Sequence, residues 1–178
     1  QLVVRGYNDG FAFCYKIPDG KGPCVNVQSE LTAYNFAGDY TAWFYNGENH
    51  NIGPEKLTET DGTRLPVMTV KAGDKHYMAI HEACLETGAP LVLQSKGGES
   101  LFSVASKPTS LSPGYTSAWR VVLYGTTPGV LTDSHLLELL NPDPDSRYDF
   151  SWVKPGLAVW DWRINGAVWD GFTYGMSY

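Results

Sequence analysis

Charge is scarce in this 178-residue chain: 18% of its residues are charged, and its 13 Lys and Arg never form a run. A polyphosphate partner needs a clustered basic face, so these residues and a net charge of -6 argue against nucleic-acid binding. Long apolar runs are missing as well, and nothing approaches the roughly 20 residues that cross a bilayer as a helix. The chain opens on Gln1 with no signal-peptide pattern, so a processed or truncated start is expected. Cysteine is limited to three residues, an odd number. Cys14 and Cys24 flank the turn Pro18-Asp19-Gly20-Lys21-Gly22-Pro23, a placement that admits either a disulfide across a hairpin or two free thiols. Cys84 lies in an apolar run and reads as a small buried hydrophobe.

Several catalytic signatures are also lacking. His81-Glu82 opens like the zinc-protease pattern HExxH, but Leu85 stands where the second histidine is required. His50, His76, His81 and His135 show no two-ligand helical spacing. Gly20-Lys21-Gly22 lacks the rest of a dinucleotide fingerprint, and neither a P-loop nor a GxSxG nucleophile elbow occurs.

What is present is apolar and aromatic: 43% hydrophobic residues and 13% aromatic, with 6 Trp and 11 Tyr. Such rings suit a pleated, half-buried surface, and flat rings also stack on sugars. Short β-like runs are punctuated by Gly, Pro, Asn and Asp. Phe11–Ile17 alternates up to a turn, with Cys24–Tyr34 as its expected hairpin partner. Further strands are expected at Thr41–Tyr45, Leu65–Val70, Tyr77–Leu85, Leu91–Gln94, Leu101–Ala105 and Ser117–Tyr124. This spacing, without long helices, predicts a mainly β, antiparallel sandwich. The helix candidate is Ser134–Leu140, with Thr132, Asp133 and Ser134 as possible caps. Asn141–Arg147 reads as a linker, and Leu157–Trp162 is apolar on both faces, as a buried parallel strand would be. The expected division is 1–146, a sandwich lacking its first strands, and 147–178, the linker and first strand of a truncated second domain.

Glu82 is the sharpest candidate for chemistry. Period two puts Met78, Ile80, Glu82 and Cys84 on one strand face and Tyr77, Ala79, His81 and Ala83 on the other. A carboxylate on that apolar face needs a cation, a donor or an opening. It is either a metal ligand or site carboxylate, for which calcium is the natural metal, or a structural group at a solvated edge or paired with an arginine. Trp160-Asp161-Trp162-Arg163 is either an aromatic rim for sugar or two core tryptophans with an ion pair. Asn8, in Tyr7-Asn8-Asp9-Gly10, sits in turn chemistry. Trp43 and Trp119 read as core.

Taken together, Arg5-Gly6-Tyr7-Asn8-Asp9-Gly10-Phe11-Ala12-Phe13, Ala79-Ile80-His81-Glu82-Ala83, Ala118-Trp119-Arg120-Val121 and Ser151-Trp152-Val153-Lys154-Pro155-Gly156 with Trp160-Asp161-Trp162 resemble glycoside hydrolase family 97. The resemblance implies a β-super-sandwich similar to galactose mutarotase, followed by a (β/α)8 barrel that begins near the end of this chain. It implies a calcium-dependent, exo-acting hydrolase of α-glucosidic or α-galactosidic bonds, periplasmic or secreted. Glu82 would be the sandwich's calcium ligand, and the catalytic acid would lie beyond Tyr178. Trp160, Asp161, Trp162 and Asn8 are the substrate-binding candidates among the present residues. The domain would dock on the rest of its own barrel. Two positions depart from the family pattern: Arg163 follows Trp162, and Thr87-Gly88-Ala89-Pro90 replaces a Tyr-Pro step. The competing class is a non-catalytic carbohydrate-binding sandwich that would use Trp43, Tyr45 or Trp119 as its platform. A mutarotase-like epimerase would need His81 and Glu82 in one pocket, and strand alternation separates them.

Overall fold

The structure is a computed structural model that describes residues 1–45, 51–86 and 88–157. Contacts divide the chain into two compact units, Gln1–Pro142 and Asp143–Tyr178.

The first unit is mainly β. Its strands are β1 (Leu2–Tyr7), β2 (Gly10–Tyr15), β3 (Val25–Val27), β4 (Ala33–Asn35), β5 (Thr41–Tyr45), β6 (Asn51–Lys56), β7 (Asp61–Lys71), β8 (Tyr77–Ala83), β9 (Leu93–Lys96), β10 (Leu101–Val104), β11 (Thr109–Leu111) and β12 (Trp119–Gly125). Two short helices follow, α1 (Pro128–Asp133) and α2 (Leu136–Leu139). The main sheet runs β1-β2-β12-β8-β7-β9-β10-β4, with β5 and β6 attached beside β7; β3 and β11 form a separate pair. Every pairing between these strands is antiparallel.

The long strand β7 makes the sheet curl. Its first residues, Asp61–Arg64, pair with β9, and its last, Met68–Lys71, pair with β8. The two halves of the sheet therefore close over one core. Met68, Val70 and Ile80 enter it from one side and Leu91, Leu93, Phe102 and Val104 from the other. Burying side chains of this size contributes about 1.5–3 kcal/mol each. A second core lies on the opposite face, where Ala12, Cys14, Ala79, Val121 and Leu123 pack against Leu136 and Leu140.

Tyr7-Asn8-Asp9-Gly10 does the turn duty expected of it, reversing β1 into β2 with Tyr7 opposite Gly10. Glycine is required at position 10, where φ is +157° and a Cβ would fall 2.3 Å from the Val122 carbonyl oxygen. Other expectations need correction. Cys24–Tyr34 is not the hairpin partner of β2, which pairs instead with β1 and β12, while β3 pairs with β11. Long-range pairing overrode the local turn signal. Cys14 and Cys24 are free, the first buried and the second exposed. The helix expected at Ser134–Leu140 is present but shorter, as α2, and α1 precedes it where no helix was expected. Asp133 ends α1, and Ser134 breaks the run, donating to Asp9 Oδ2 at 2.6 Å and accepting from Leu136 N at 3.2 Å. Asn141 is anchored rather than free linker: its Oδ1 accepts from Cys84 N and its Nδ2 donates to Leu137 O.

In the second unit the described residues 143–157 form turns. The Tyr148 and Val153 amides bond back to Asp145 and Phe150. No helix among the described residues is long and apolar enough to cross a membrane.

Candidate functional site

Register builds the site. Arg120 of β12 stands directly opposite Glu82 of β8, so the two side chains share a face. That face continues through Ile80 to Met68, which carries it into the core inside the curl. At the end of β8 the alternation stops. Cys84 adopts a left-handed φ of 55° and turns toward the second core, so it does not share the face of Glu82 as strand period alone implied. The chain leaves the strand after Cys84 and is back beside it at Leu91, whose amide donates to Glu82 Oε2. Gly88 lets this loop lie against the neighbouring strand entry, since a Cβ there would come within 2.5 Å of the Ala118 nitrogen.

Glu82 is 9% exposed and Arg120 3%. The Arg120 Nη1 atom lies 3.8 Å from Glu82 Oε2, beyond hydrogen-bond range. Glu30, between β3 and β4, holds the rest of the guanidinium. It accepts Arg120 Nε at Oε1 (3.0 Å) and Nη2 at Oε2 (2.6 Å), the fork geometry that arginine favours. Glu30 is itself fixed. Its Oε1 accepts the Thr32 hydroxyl at 2.8 Å, and its amide donates to Ser106 Oγ at 2.7 Å. Arg120 Nη1 is buried and makes no hydrogen bond among the described residues. Burial alone would raise the Glu30 carboxyl, but the hydrogen bonds and charge of Arg120 outweigh it and hold Glu30 below the ordinary carboxylate range. Burial would likewise depress Arg120, and the Glu30 hydrogen bonds and charge, with Tyr34 and Glu82 behind them, raise it instead. The Tyr34 hydroxyl, also buried without a partner among the described residues, is pushed well above its usual range by burial, so it stays neutral.

The arginine that could neutralise Glu82 is therefore Arg120. Sequence reasoning marked Arg120 only as part of a motif and missed Glu30 and Tyr34. A lone cation in the apolar strand WRVVLYG was the available signal for Arg120; Glu30 sits in a loop and carried none.

The structure does not bring Asn8 to Glu82. Asn8 is exposed in the β1–β2 turn, which reaches Tyr124 through the Asp9 carbonyl. Tyr124 stands opposite Met78, ~13 Å along the strand from Glu82 at ~3.3 Å per residue. Trp160, Asp161 and Trp162 lie outside the described residues. Trp119 is 7% exposed with the Arg5 guanidinium 4.8 Å from its ring centroid, which makes it core rather than an open sugar platform. His81 Nδ1 accepts from Glu82 N at 2.7 Å and belongs to the opposite strand face, so no acid–base pair forms between the two side chains.

Calcium takes about 6–8 oxygen ligands. Among the described residues no group of three His, Cys, Asp or Glu could hold a metal ion. Glu82, a largely covered hard carboxylate at a strand end, fits the contribution of one ligand to such a site, not a complete site.

The family model described as Glycosyl-hydrolase 97 N-terminal matches residues 1–142. The chain belongs to glycoside hydrolase family 97. Among curated proteins, it is 27% identical to a retaining alpha-galactosidase of Bacteroides thetaiotaomicron, over 91% of this chain and 30% of that protein. It is 29% identical to a probable retaining alpha-galactosidase of Streptomyces bingchenggensis, over 93% of this chain and 26% of that protein. A solved glycoside hydrolase family 97 enzyme from Pseudoalteromonas sp. strain K8, in complex with acarbose, is 25% identical with a TM-score of 0.74, covering 87% of this chain and 25% of that one. The family 97 chain thus spans between a quarter and a third of the length of these relatives.

Proposed function

We propose that this chain is the N-terminal domain of a calcium-dependent, exo-acting glycosidase that cleaves terminal α-galactosidic or α-glucosidic bonds, with Glu82 as one calcium ligand. The observation that carries the reading is a carboxylate only 9% exposed at a strand end, faced by an arginine that does not hydrogen-bond to it. The α-galactosidase names of two relatives favour galactosides and retention of configuration.

Retention uses two carboxyl groups about 5–5.5 Å apart, one a proton donor with a raised pKa and one a nucleophile. Glu30 is unsuited to donate, because Arg120 holds it ionised. Glu30 and Glu82 therefore act in orientation and charge balance, and the acid and nucleophile are assigned to the barrel. Calcium, when bound, supplies a positive charge that orients substrate and polarises a reacting oxygen. The reading also places Trp160, Asp161 and Trp162 at the substrate rim, has this domain dock on its own barrel, and assigns a periplasmic or secreted location.

Hydrolysis of nitrophenyl α-galactoside and α-glucoside by the full-length protein, with calcium and with chelator, tests this function. Calcium-dependent release, faster from the galactoside, is expected. No release from either glycoside in saturating calcium would contradict it.

A further inference from the structure

We infer that Glu30 and Arg120 form a clamp that positions Glu82 for a metal ion by keeping the guanidinium from closing on it. This deepens the proposed function and rests on Glu82 being a calcium ligand.

An unclamped buried arginine beside a carboxylate would form the two-pronged pair that its five donors favour. Glu82 bound in that way would have both oxygens occupied and would have to give up two charge-assisted hydrogen bonds to reach a cation. The structure shows a different division. Nε and Nη2 are both committed to Glu30, at 3.0 and 2.6 Å. Only Nη1 is left on the Glu82 side, and it stops 3.8 Å short of Oε2 with no hydrogen bond of its own. Arg120 is 3% exposed, so water does not screen this separation. Glu82 thus faces the guanidinium without being bonded by it and takes its direction from the Leu91 amide.

The clamp is braced by neighbouring hydroxyls. The Thr32 hydroxyl donates to Glu30 Oε1 and is itself 2.9 Å from the Tyr15 hydroxyl, while Ser106 Oγ accepts the Glu30 amide. Arg120 and Glu30 are therefore positioning residues, acting on the metal ligand through its surroundings. Partners of this kind commonly change metal affinity 10- to 100-fold when lost.

A naive charge count gives the opposite sign. Removing the Glu30 carboxylate leaves Arg120 free to swing onto Glu82 and compete with calcium. Glu30→Gln should therefore weaken calcium binding roughly 10- to 100-fold in the full-length protein, measured by calorimetric titration with calcium chloride. A crystal structure of the metal-free variant should show two Arg120 nitrogens within hydrogen-bond distance of Glu82. Thr32→Val, a milder change that only loosens the brace, should weaken binding less but in the same direction, and serves if Glu30→Gln does not fold. Glu55→Gln, which breaks the separate Arg64–Glu55 pair, controls for lost stability and should leave calcium affinity unchanged.

Unchanged calcium affinity in Glu30→Gln and Thr32→Val, while Glu82→Gln binds calcium weakly, would overturn the clamp and leave the ligand assignment standing. Unchanged affinity in Glu82→Gln would overturn the assignment and the clamp together. Equal weakening in Glu55→Gln would reduce the effect to stability and overturn the clamp alone.

Discussion

Arg120 and Glu30 are joined by two hydrogen bonds across 90 positions of sequence, tying the loop before β4 to the strand that faces Glu82. Removing one partner of a buried pair leaves an unpaired buried charge, which costs about 3–5 kcal/mol. Arg120→Met should lower unfolding stability by about that amount, because it strands Glu30 and Glu82 together near one another. Arg120→Lys should recover part of the loss, since a lysine restores the charge but not the fork. Urea denaturation followed by tryptophan fluorescence measures both, and Arg120→Met within 1 kcal/mol of wild type would contradict the buried-pair account.

The same pair sets an acid limit. Glu30 has an ordinary value of 4.5 and lies below it in the folded protein, after the Arg120 contribution outweighs burial. A carboxylate with a depressed folded value stabilises the fold above its unfolded pKa, and that stabilisation fades as pH falls from about 4.5 through the lower folded value. Melting temperature should therefore drop below pH 4.5 more steeply in wild type than in Glu30→Gln, which has no carboxylate to protonate. Parallel acid limbs in the two proteins would count against it.

Gly88 governs the return loop. A methyl group there meets the Ala118 backbone nitrogen at 2.5 Å, and backbone cannot give way as a flexible side chain does. Gly88→Ala should displace the backbone at Gly88 and pull the Leu91 amide from Glu82. Hydrogen exchange at Leu91 should quicken markedly while exchange in β12 stays slow. Wild-type protection at Leu91 in the variant would show that the loop accepts the methyl group.

The strands were legible because turn residues bracket them: β5, β8, β9, β10 and β12 overlap the apolar runs read between those turn residues. Their partners were not legible. β2 pairs with β12 more than 100 positions away, as Phe13 opposite Arg120 shows, and no local pattern encodes that register. The hairpin expected between Phe11–Ile17 and Cys24–Tyr34 failed for this reason. At the site, period two exposed Glu82 as a carboxylate on an apolar face and raised an unnamed arginine as its partner. The identity of Arg120 followed only from the β8–β12 register. Cys84 escaped because one left-handed residue ends the alternation, and Glu30 because a loop has no period.

The central claim is that Glu82 is a metal ligand supported by Arg120, rather than a purely structural partner of it. Calcium titration of full-length Glu82→Gln against wild type, beside melting curves in chelator, tests this most directly. The account predicts calcium affinity weakened at least roughly 10-fold, with little change in melting of the metal-free proteins. An unchanged calcium isotherm accompanied by a clear loss of melting temperature would contradict it and leave Glu82 as structure alone.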